Sequence, residues 1–275
     1  MASLREILRS TAIQTLSAVR LFPTLQTDPA ALRGLMQSLY PLLSGHELMR
    51  LGPKGDGGYL VPDDLEGIQA CFSPGVSDRS GFEIDCAERG MDVFLADASV
   101  DGPAENHPRF TFTKKFLGGS PDARFMTLDQ WVSQSLADSD AELLLQMDIE
   151  GFEYEVFALA TPQLLQRCRI IVVEFHDINF LWSQPFFKLA TSVFTKLLAT
   201  HACVHAHPNN VRGNLRLRGL EVPRLLEFTF LRRDRMRGQG YATEFPHPLD
   251  SDNLDLAGIA LPPCWYHSGE NHAAK

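Results

Sequence analysis

The feature of the sequence that most constrains the fold is an alternation of short apolar runs with helical stretches between residues 68 and 175. The apolar runs predict strands at 68–73, 92–96, 142–147 and 170–175. The segments between them repeat apolar residues at three- and four-residue spacing, which predicts helices at 82–89, 128–136 and 152–159. Strands that are apolar throughout are buried on both faces, as is typical of a parallel sheet covered by helices. The pattern therefore predicts an α/β fold with a doubly wound, mostly parallel sheet.

The flanking regions extend this domain on both sides. A strand is predicted at 109–116, a helix from Ser183 to about Thr200, and closing strands at 202–206 and 225–231. Two amphipathic helices precede residue 49, so residues 1–48 are predicted to be an N-terminal helical arm that caps the core or forms a homodimer interface. Residues 49–237 are the predicted main domain. Residues 238–275, rich in proline, glycine and histidine, are predicted to be a C-terminal surface tail.

Composition excludes several classes of protein. The formal net charge of −9 disfavours general nucleic-acid binding. The five cysteines are widely spread and include no Cys-x-x-Cys pair, which disfavours both a disulfide framework and a zinc ribbon. No run approaches the roughly 18 apolar residues that a membrane span needs. The first 22 residues lack the apolar core of a signal peptide, so a cytoplasmic location is expected.

Small residues follow the first predicted strand of the domain. The turn Ser73-Pro74-Gly75-Val76-Ser77 leads into a helix, and the next strand ends in Asp97, 22 residues after Gly75. A small-residue turn followed by an acid at this spacing is typical of sites that bind the ribose of a nucleoside cofactor. Upstream, the glycine-rich run 55–59 implies a tight turn or a close ligand approach, and we include Gly58 among the cofactor candidates.

Acids and imidazoles follow the later strands. The segment after residue 147 contains Asp148, Glu150 and Glu153, of which Glu153 is interpreted as an ordinary acid at a helix N-terminus. Strand alternation places Glu174 and His176 on one side of the neighbouring strand. Asp148, Glu174 and His176 are therefore candidates for an acid/base group or for a divalent metal site, with His207 as a further ligand.

These motifs, in this order and spacing, resemble the FkbM-type family of S-adenosylmethionine-dependent methyltransferases. The elements that carry the resemblance are Gly55-Asp56-Gly57-Gly58-Tyr59, Ser73-x-Gly75-Val76-Ser77, Asp148-x-Glu150-Gly151-x-Glu153 and Val173-Glu174-Phe175-His176. The resemblance spans about residues 52–234.

The resemblance implies a Rossmann-like class I methyltransferase fold, with a seven-stranded sheet whose last strand is antiparallel. It implies S-adenosylmethionine as cofactor, with Gly58, Ser73, Gly75, Ser77 and Asp148 near it and Asp97 on its ribose. It also implies transfer of the methyl group to a hydroxyl of a small metabolite, such as a sugar or natural product.

Two questions stay open at this stage. His176 is the first candidate for the base that removes the hydroxyl proton, with Asp148 or Glu174 beside it. In the competing interpretation these three residues and His207 hold magnesium, manganese or zinc, which binds the hydroxyl. The alternative function is an NAD-dependent oxidoreductase, which is disfavoured because Gly-x-Gly-x-x-Gly and Tyr-x-x-x-Lys are absent from the sequence.

Overall fold

The computed structural model describes residues 3–20 and 22–268, and residues 1, 2, 21 and 269–275 lie outside the described part. The described strands are, in chain order, β1 (Leu48–Leu51), β2 (Tyr59–Pro62), β3 (Ala70–Pro74), β4 (Asp92–Ala96), β5 (Phe110–Thr113), β6 (Phe116–Leu117), β7 (Phe125–Met126), β8 (Leu143–Met147), β9 (Cys168–Phe175), β10 (His201–Pro208), β11 (Asn214–Leu217), β12 (Leu220–Pro223) and β13 (Leu226–Arg232). The α-helices are α1 (Leu4–Ser17), α2 (Pro29–Ser38), α3 (Gly81–Glu88), α4 (Leu128–Ser135), α5 (Glu153–Leu159), α6 (Pro162–Arg167) and α7 (Gln184–Thr200). Short 3₁₀ helices are found at Ile178–Trp182, Arg233–Arg235 and Pro263–Trp265.

Seven of these strands form the central sheet. Their order is β10-β13-β9-β8-β3-β4-β5. Strands β5, β4, β3, β8 and β9 pair in parallel, whereas β13 pairs antiparallel with both β9 and β10. The predicted α/β fold with a seven-stranded, mostly parallel sheet is confirmed. The last strand along the chain is the antiparallel one.

Both faces of the sheet are covered, as the apolar strands predict. One face packs against α2, α4, α5, α6 and α7. The other packs against α3 and the β1–β2 hairpin. In β9 the alternation divides the side chains cleanly: Val173 and Phe175 belong to the first layer, and Ile170 and Val172 to the second. Glu174 therefore lies on the hairpin side.

The two terminal regions differ in how they contact this core. The described side chains of α1 are exposed or half-buried, whereas α2 buries Leu32, Leu35 and Met36 against the main core. The predicted surface tail is described as far as residue 268 and includes Trp265, which is 1% exposed and donates a hydrogen bond to the Glu221 carbonyl. No described helix combines the length and the apolar character that a bilayer crossing requires.

Candidate active site

A cavity of about 520 Å³ lies beyond the carboxyl ends of β3, β4 and β8. Polar groups from the three strand ends and the aromatic residues Phe116, Phe125 and Phe152 line it. Its lining consists of Gly75, Val76, Ser77, Ala96, Asp97, Ser99, Phe116, Leu117, Phe125, Asp148, Ile149, Glu150 and Phe152. A partly apolar cavity with a few polar groups at strand ends is typical of ligand sites in α/β sheets.

Gly75 allows the loop after β3 to approach the end of β8. Its φ is +90°, a conformation that disfavours side chains, and a Cβ atom here would lie 1.7 Å from the carbonyl oxygen of Asp148. The Gly75 amide donates to the Ala96 carbonyl at 3.0 Å. Backbone from three neighbouring strands therefore converges at this glycine.

Asp97 connects the loops after β3 and β4. The residue is buried, and its Oδ2 accepts a hydrogen bond from the Val76 amide at 3.1 Å. Its Oδ1 accepts from the amide and the hydroxyl of Ser99, both at 2.6 Å. The carboxylate is thus held at the cavity wall by backbone donors, and Ser77 lines the cavity beside it.

Two of the predicted cofactor residues do not line this cavity. Ser73 is 1% exposed and lies beneath the loop, where its hydroxyl contacts Glu83 and Gln146. Gly58 closes the turn after β1: a Cβ atom there would lie 2.0 Å from the Pro53 carbonyl oxygen and 2.9 Å from the Arg50 guanidinium. Of the two alternatives that the glycine-rich run left open, a tight turn or a close ligand approach, these contacts at Gly58 fit the tight turn.

Asp148, Glu174 and His176 converge next to the cavity. The Nε2 atom of His176 lies 3.9 Å from Asp148 Oδ1 and 3.7 Å from Glu174 Oε1. One potential ligand atom from each residue lies within 4.8 Å of the other two. Glu150, whose backbone is left-handed at φ +55°, brings its Oε2 to 3.3 Å from the same Nε2. The three sequence candidates thus lie together at the ends of β8 and β9.

A separate partner holds the remote atom of each of these three side chains. Glu153 Oε1 lies 3.1 Å from His176 Nδ1, Asn209 Nδ2 donates to Glu174 Oε2 at 3.0 Å, and the Tyr59 hydroxyl donates to Asp148 Oδ2 at 3.5 Å. The atoms left facing one another are Nε2, Oε1 and Oδ1. Outer partners that orient ligands in this way are typical of metal sites.

Burial and the neighbouring acidic groups disfavour the ionised form of the carboxyl groups in this cluster. Burial raises the pKa of Asp148 to about 7, with the nearby Glu153 and Glu150 charges adding to the shift. Burial, followed by the charge of Asp148, also raises the pKa of Glu174. Burial alone would lower the pKa of His176, but the hydrogen bond to Glu153 and the neighbouring carboxylates raise it. The arrangement therefore favours binding a proton or a cation between the carboxylates.

The interpretation of Glu153 as an ordinary helix N-terminal acid is wrong. Its side chain is fully buried, and its Oε1 accepts hydrogen bonds from the Ile149 and Gly151 amides at 3.1 Å each while also contacting His176. The sequence pattern misled because an acid in the first turn of a helix is usually solvated. The signal that distinguishes it is the tight turn through Gly151, φ +104°, which folds the helix start back onto the strand end.

His207 lies away from the three-residue cluster. Its Nδ1 is 3.5 Å from Asp250 Oδ2 in the C-terminal region, and its Nε2 is buried with no hydrogen-bond partner among the described residues. Asp250 also contacts His205 Nε2 at 2.8 Å. In the register of the sheet His207 is opposite Glu227, which in turn is opposite Glu174. His207 thus lies two strands from the cluster and pairs with the tail.

Comparison with known proteins gives one family match. Residues 78–201 match the model of the methyltransferase FkbM domain. No curated protein matches the chain. A solved structure of a putative DNA modification methyltransferase encoded within an E. coli prophage is 9% identical, with a TM-score of 0.38, over 60% of this chain and 47% of that one. The chain thus spans about half the length of that protein.

A second solved structure is the Burkholderia thailandensis 1,6-didemethyltoxoflavin-N1-methyltransferase with bound 1,6-didemethyltoxoflavin and S-adenosylhomocysteine. It is 13% identical, with a TM-score of 0.30, over 84% of this chain and 91% of that one.

Proposed function

We propose, from the match of residues 78–201 to the methyltransferase FkbM domain, that the protein transfers a methyl group from S-adenosylmethionine to a hydroxyl of a small metabolite, a sugar or a natural product. The observation that carries the proposal is the position of Asp148. This residue lines the cavity and is also one of the three residues whose side chains converge beside it. A cofactor in the cavity would therefore present its reacting end next to the group that activates the acceptor.

The cavity wall supports the cofactor assignment. Asp97 offers carboxylate oxygens to ribose hydroxyls, and Gly75 and Ser77 form the loop that would follow the cofactor backbone. Phe116, Phe125 and Phe152 supply aromatic surface for a purine ring. In this proposal Ser73 and Gly58 act indirectly, by supporting the loop and the turn rather than by touching the cofactor.

The three-residue cluster supports activation of the acceptor. An alcohol is a poor nucleophile until its proton leaves, which requires a base or a cation on the oxygen. Asp148, Glu174 and His176 offer two carboxylates and an imidazole, a set that suits magnesium, manganese or zinc. A divalent cation held there would lower the pKa of an acceptor hydroxyl. We propose that the cluster binds such a cation and that His207, which pairs with Asp250, is not among its ligands.

The contacts of His176 suit it both to bind a cation and to act as a base. Glu153 Oε1 already accepts two backbone hydrogen bonds, so it acts as the acceptor for the proton on His176 Nδ1. That tautomer leaves the Nε2 lone pair directed at the cluster. Nε2 can then bind a cation, or it can take the proton directly from the hydroxyl group that is to be methylated.

Two measurements test the proposal. Thermal unfolding should shift to higher temperature with S-adenosylmethionine or S-adenosylhomocysteine and not with NAD, because a ligand that binds only the native state stabilises it. Stabilisation by NAD alone would instead support an oxidoreductase. Once a panel of hydroxylated metabolites yields an acceptor, exhaustive chelation should abolish methyl transfer and added Mg²⁺, Mn²⁺ or Zn²⁺ should restore it. Activity that survives chelation would assign proton removal to His176 alone.

A further inference from the structure

A chain of hydrogen bonds runs beneath the cofactor loop to Asp148. The Ser73 hydroxyl lies 2.5 Å from Glu83 Oε1 and 2.7 Å from Gln146 Oε1. Gln146 Nε2 donates to the Tyr59 hydroxyl oxygen at 3.3 Å, and the Tyr59 hydroxyl donates to Asp148 Oδ2 at 3.5 Å. The first four residues are buried, with 9% exposure or less. This series of hydrogen bonds therefore connects α3 to the Asp148 carboxylate without passing through solvent.

The donors in this chain can all point one way. Ser73 has one hydroxyl proton but contacts two oxygens, one from the Glu83 carboxyl group and one from the Gln146 amide. It can donate to only one of them, so in the other contact the partner must donate to Ser73. Burial raises the pKa of Glu83, which favours a protonated carboxyl group that donates to Ser73. Ser73 then donates to Gln146, Gln146 to Tyr59, and Tyr59 to Asp148. Each side chain uses a donor it possesses, and the last acceptor is Asp148.

The two ends of the chain are functionally different places. Ser73 lies in β3 and Glu83 in α3, the two elements joined by the loop of residues 75–80 that contains Gly75 and Ser77. At the other end, Asp148 has its Oδ1 facing His176 and its Oδ2 facing Tyr59. The Tyr59 ring is 5% exposed and packs edge-on against Phe82 at a centroid distance of 5.7 Å, which fixes the direction of its hydroxyl.

We propose that Tyr59 is a positioning residue that orients Asp148 towards His176 and that the hydrogen-bond chain from Glu83 transmits the position of the cofactor loop to that carboxylate. This inference rests on the proposed function and deepens it. Tyr59 itself does not line the cavity, so it acts on the acceptor site through Asp148.

The test compares two tyrosine-to-phenylalanine variants. Tyr59→Phe removes only the hydroxyl and keeps the ring that packs on Phe82. Tyr154→Phe is the matched control, because Tyr154 is equally buried and its hydroxyl has no hydrogen-bond partner among the described residues. In crystal structures of both variants, Asp148 should rotate away from His176 only in Tyr59→Phe. An Asp148 carboxylate that keeps its position in Tyr59→Phe overturns the inference.

Kinetics add a readout that a merely structural role would not move. We expect Tyr59→Phe to lower kcat about 10-fold, the lower end of the range for outer partners of a metal site, while the KM for S-adenosylmethionine stays unchanged. Ser73→Ala should lower kcat by a smaller factor and add nothing when combined with Tyr59→Phe, since the chain is already cut. Independent, multiplying effects would contradict transmission along the chain.

The two proposals can fail separately. If the unaltered protein does not bind S-adenosylmethionine, the proposed function fails, and the position of Asp148 in the two crystal structures still decides the role of Tyr59. If the protein methylates an acceptor and Tyr59→Phe is as active as Tyr154→Phe, the inference fails and the proposed function stands.

Discussion

Glu153 Oε1 lies 3.1 Å from Nδ1 of His176, and the Glu153 carboxyl group is completely buried. The same oxygen accepts the amides of Ile149 and Gly151, so one buried carboxylate both shapes the turn after β8 and holds the imidazole. The imidazole is therefore fixed before any ligand arrives, which reduces the reorganisation needed for reaction.

Glu153→Gln should reduce methyl transfer about 10- to 100-fold while the protein stays folded, because a neutral amide holds the His176 tautomer less firmly than a carboxylate. The measurement is kcat together with the unfolding midpoint. Glu155→Gln, on the same helix but exposed, is the control and should retain activity. Equal activity of the two variants would contradict the role of Glu153.

Gly75→Ala should abolish binding of S-adenosylhomocysteine and cost several kcal/mol of stability, since its new methyl group would overlap the Asp148 carbonyl oxygen. Gly90 provides the control, because it has the same φ of +90° but open space around it. Gly90→Ala should lower the free energy of unfolding only by the conformational cost of about 1–2 kcal/mol and should bind S-adenosylhomocysteine as well as the unaltered protein does. Calorimetric titration and chemical unfolding measure both quantities, and similar losses in the two variants would rule out a specific role for Gly75.

Asp97→Ala should weaken S-adenosylhomocysteine binding at least 10-fold, since a good charge-assisted hydrogen bond to a ribose hydroxyl is worth about 1.5–3 kcal/mol. Asp101→Ala is the comparison, as Asp101 is an exposed acid that pairs with Lys114. Titration calorimetry on both variants checks the expectation. Unchanged affinity in Asp97→Ala would show that the ribose does not bind at the end of β4.

The contact between Asp250 and the histidines of β10 should make attachment of residues 247–254 depend on pH. Burial alone would raise the pKa of Asp250, but the hydrogen bonds from His205 and His207 lower it. Burial alone would lower the pKa of His207, but the bond to Asp250 and the nearby Glu227 charge raise it. The Asp250 contribution is present above its ordinary pKa of about 3.9 and is lost as pH falls through the lowered value. The His207 contribution is present below about 6.5 and is lost as pH rises through the raised value.

Hydrogen-exchange protection factors for residues 247–254 should therefore be highest between about pH 4 and 6.5 and fall at higher pH. Asp250→Ala should remove this dependence and destabilise the protein by about 3 kcal/mol, because it leaves buried imidazoles without their partner. Asp255→Ala changes an exposed acid directly after this segment and should behave like the unaltered protein. Protection that does not vary with pH would show that other contacts hold the segment.

Much of the sheet could be predicted from sequence because its strands are apolar on both faces. The strand at 92–96 was predicted to the residue, and those of β8 and β9 to within two residues. The hairpin β1–β2 was not predicted, since its strands have only four residues each and flank a glycine-rich turn that resembles a ligand loop. Periodicity cannot distinguish such a turn from a loop that approaches a ligand.

The site was predictable where one strand end determines a position and unpredictable where the chain returns from far away. Asp148, Glu174 and His176 lie at the carboxyl ends of two adjacent parallel strands, so the sheet itself brings them together. Tyr59 reaches Asp148 across 89 residues of sequence, a contact that depends on how the β1–β2 hairpin packs on the sheet. Local spacing contains no record of such a contact.

The place of β13 between β9 and β10 has a consequence for how the protein is made. During synthesis β9 and β10 leave the ribosome before β13, the strand that must separate them and pair with both. Until residues 226–232 emerge, each of the earlier strands has an open edge that could pair with the other or with another nascent chain. The last central strand therefore completes the sheet, and a translation product that stops before it would be prone to aggregate.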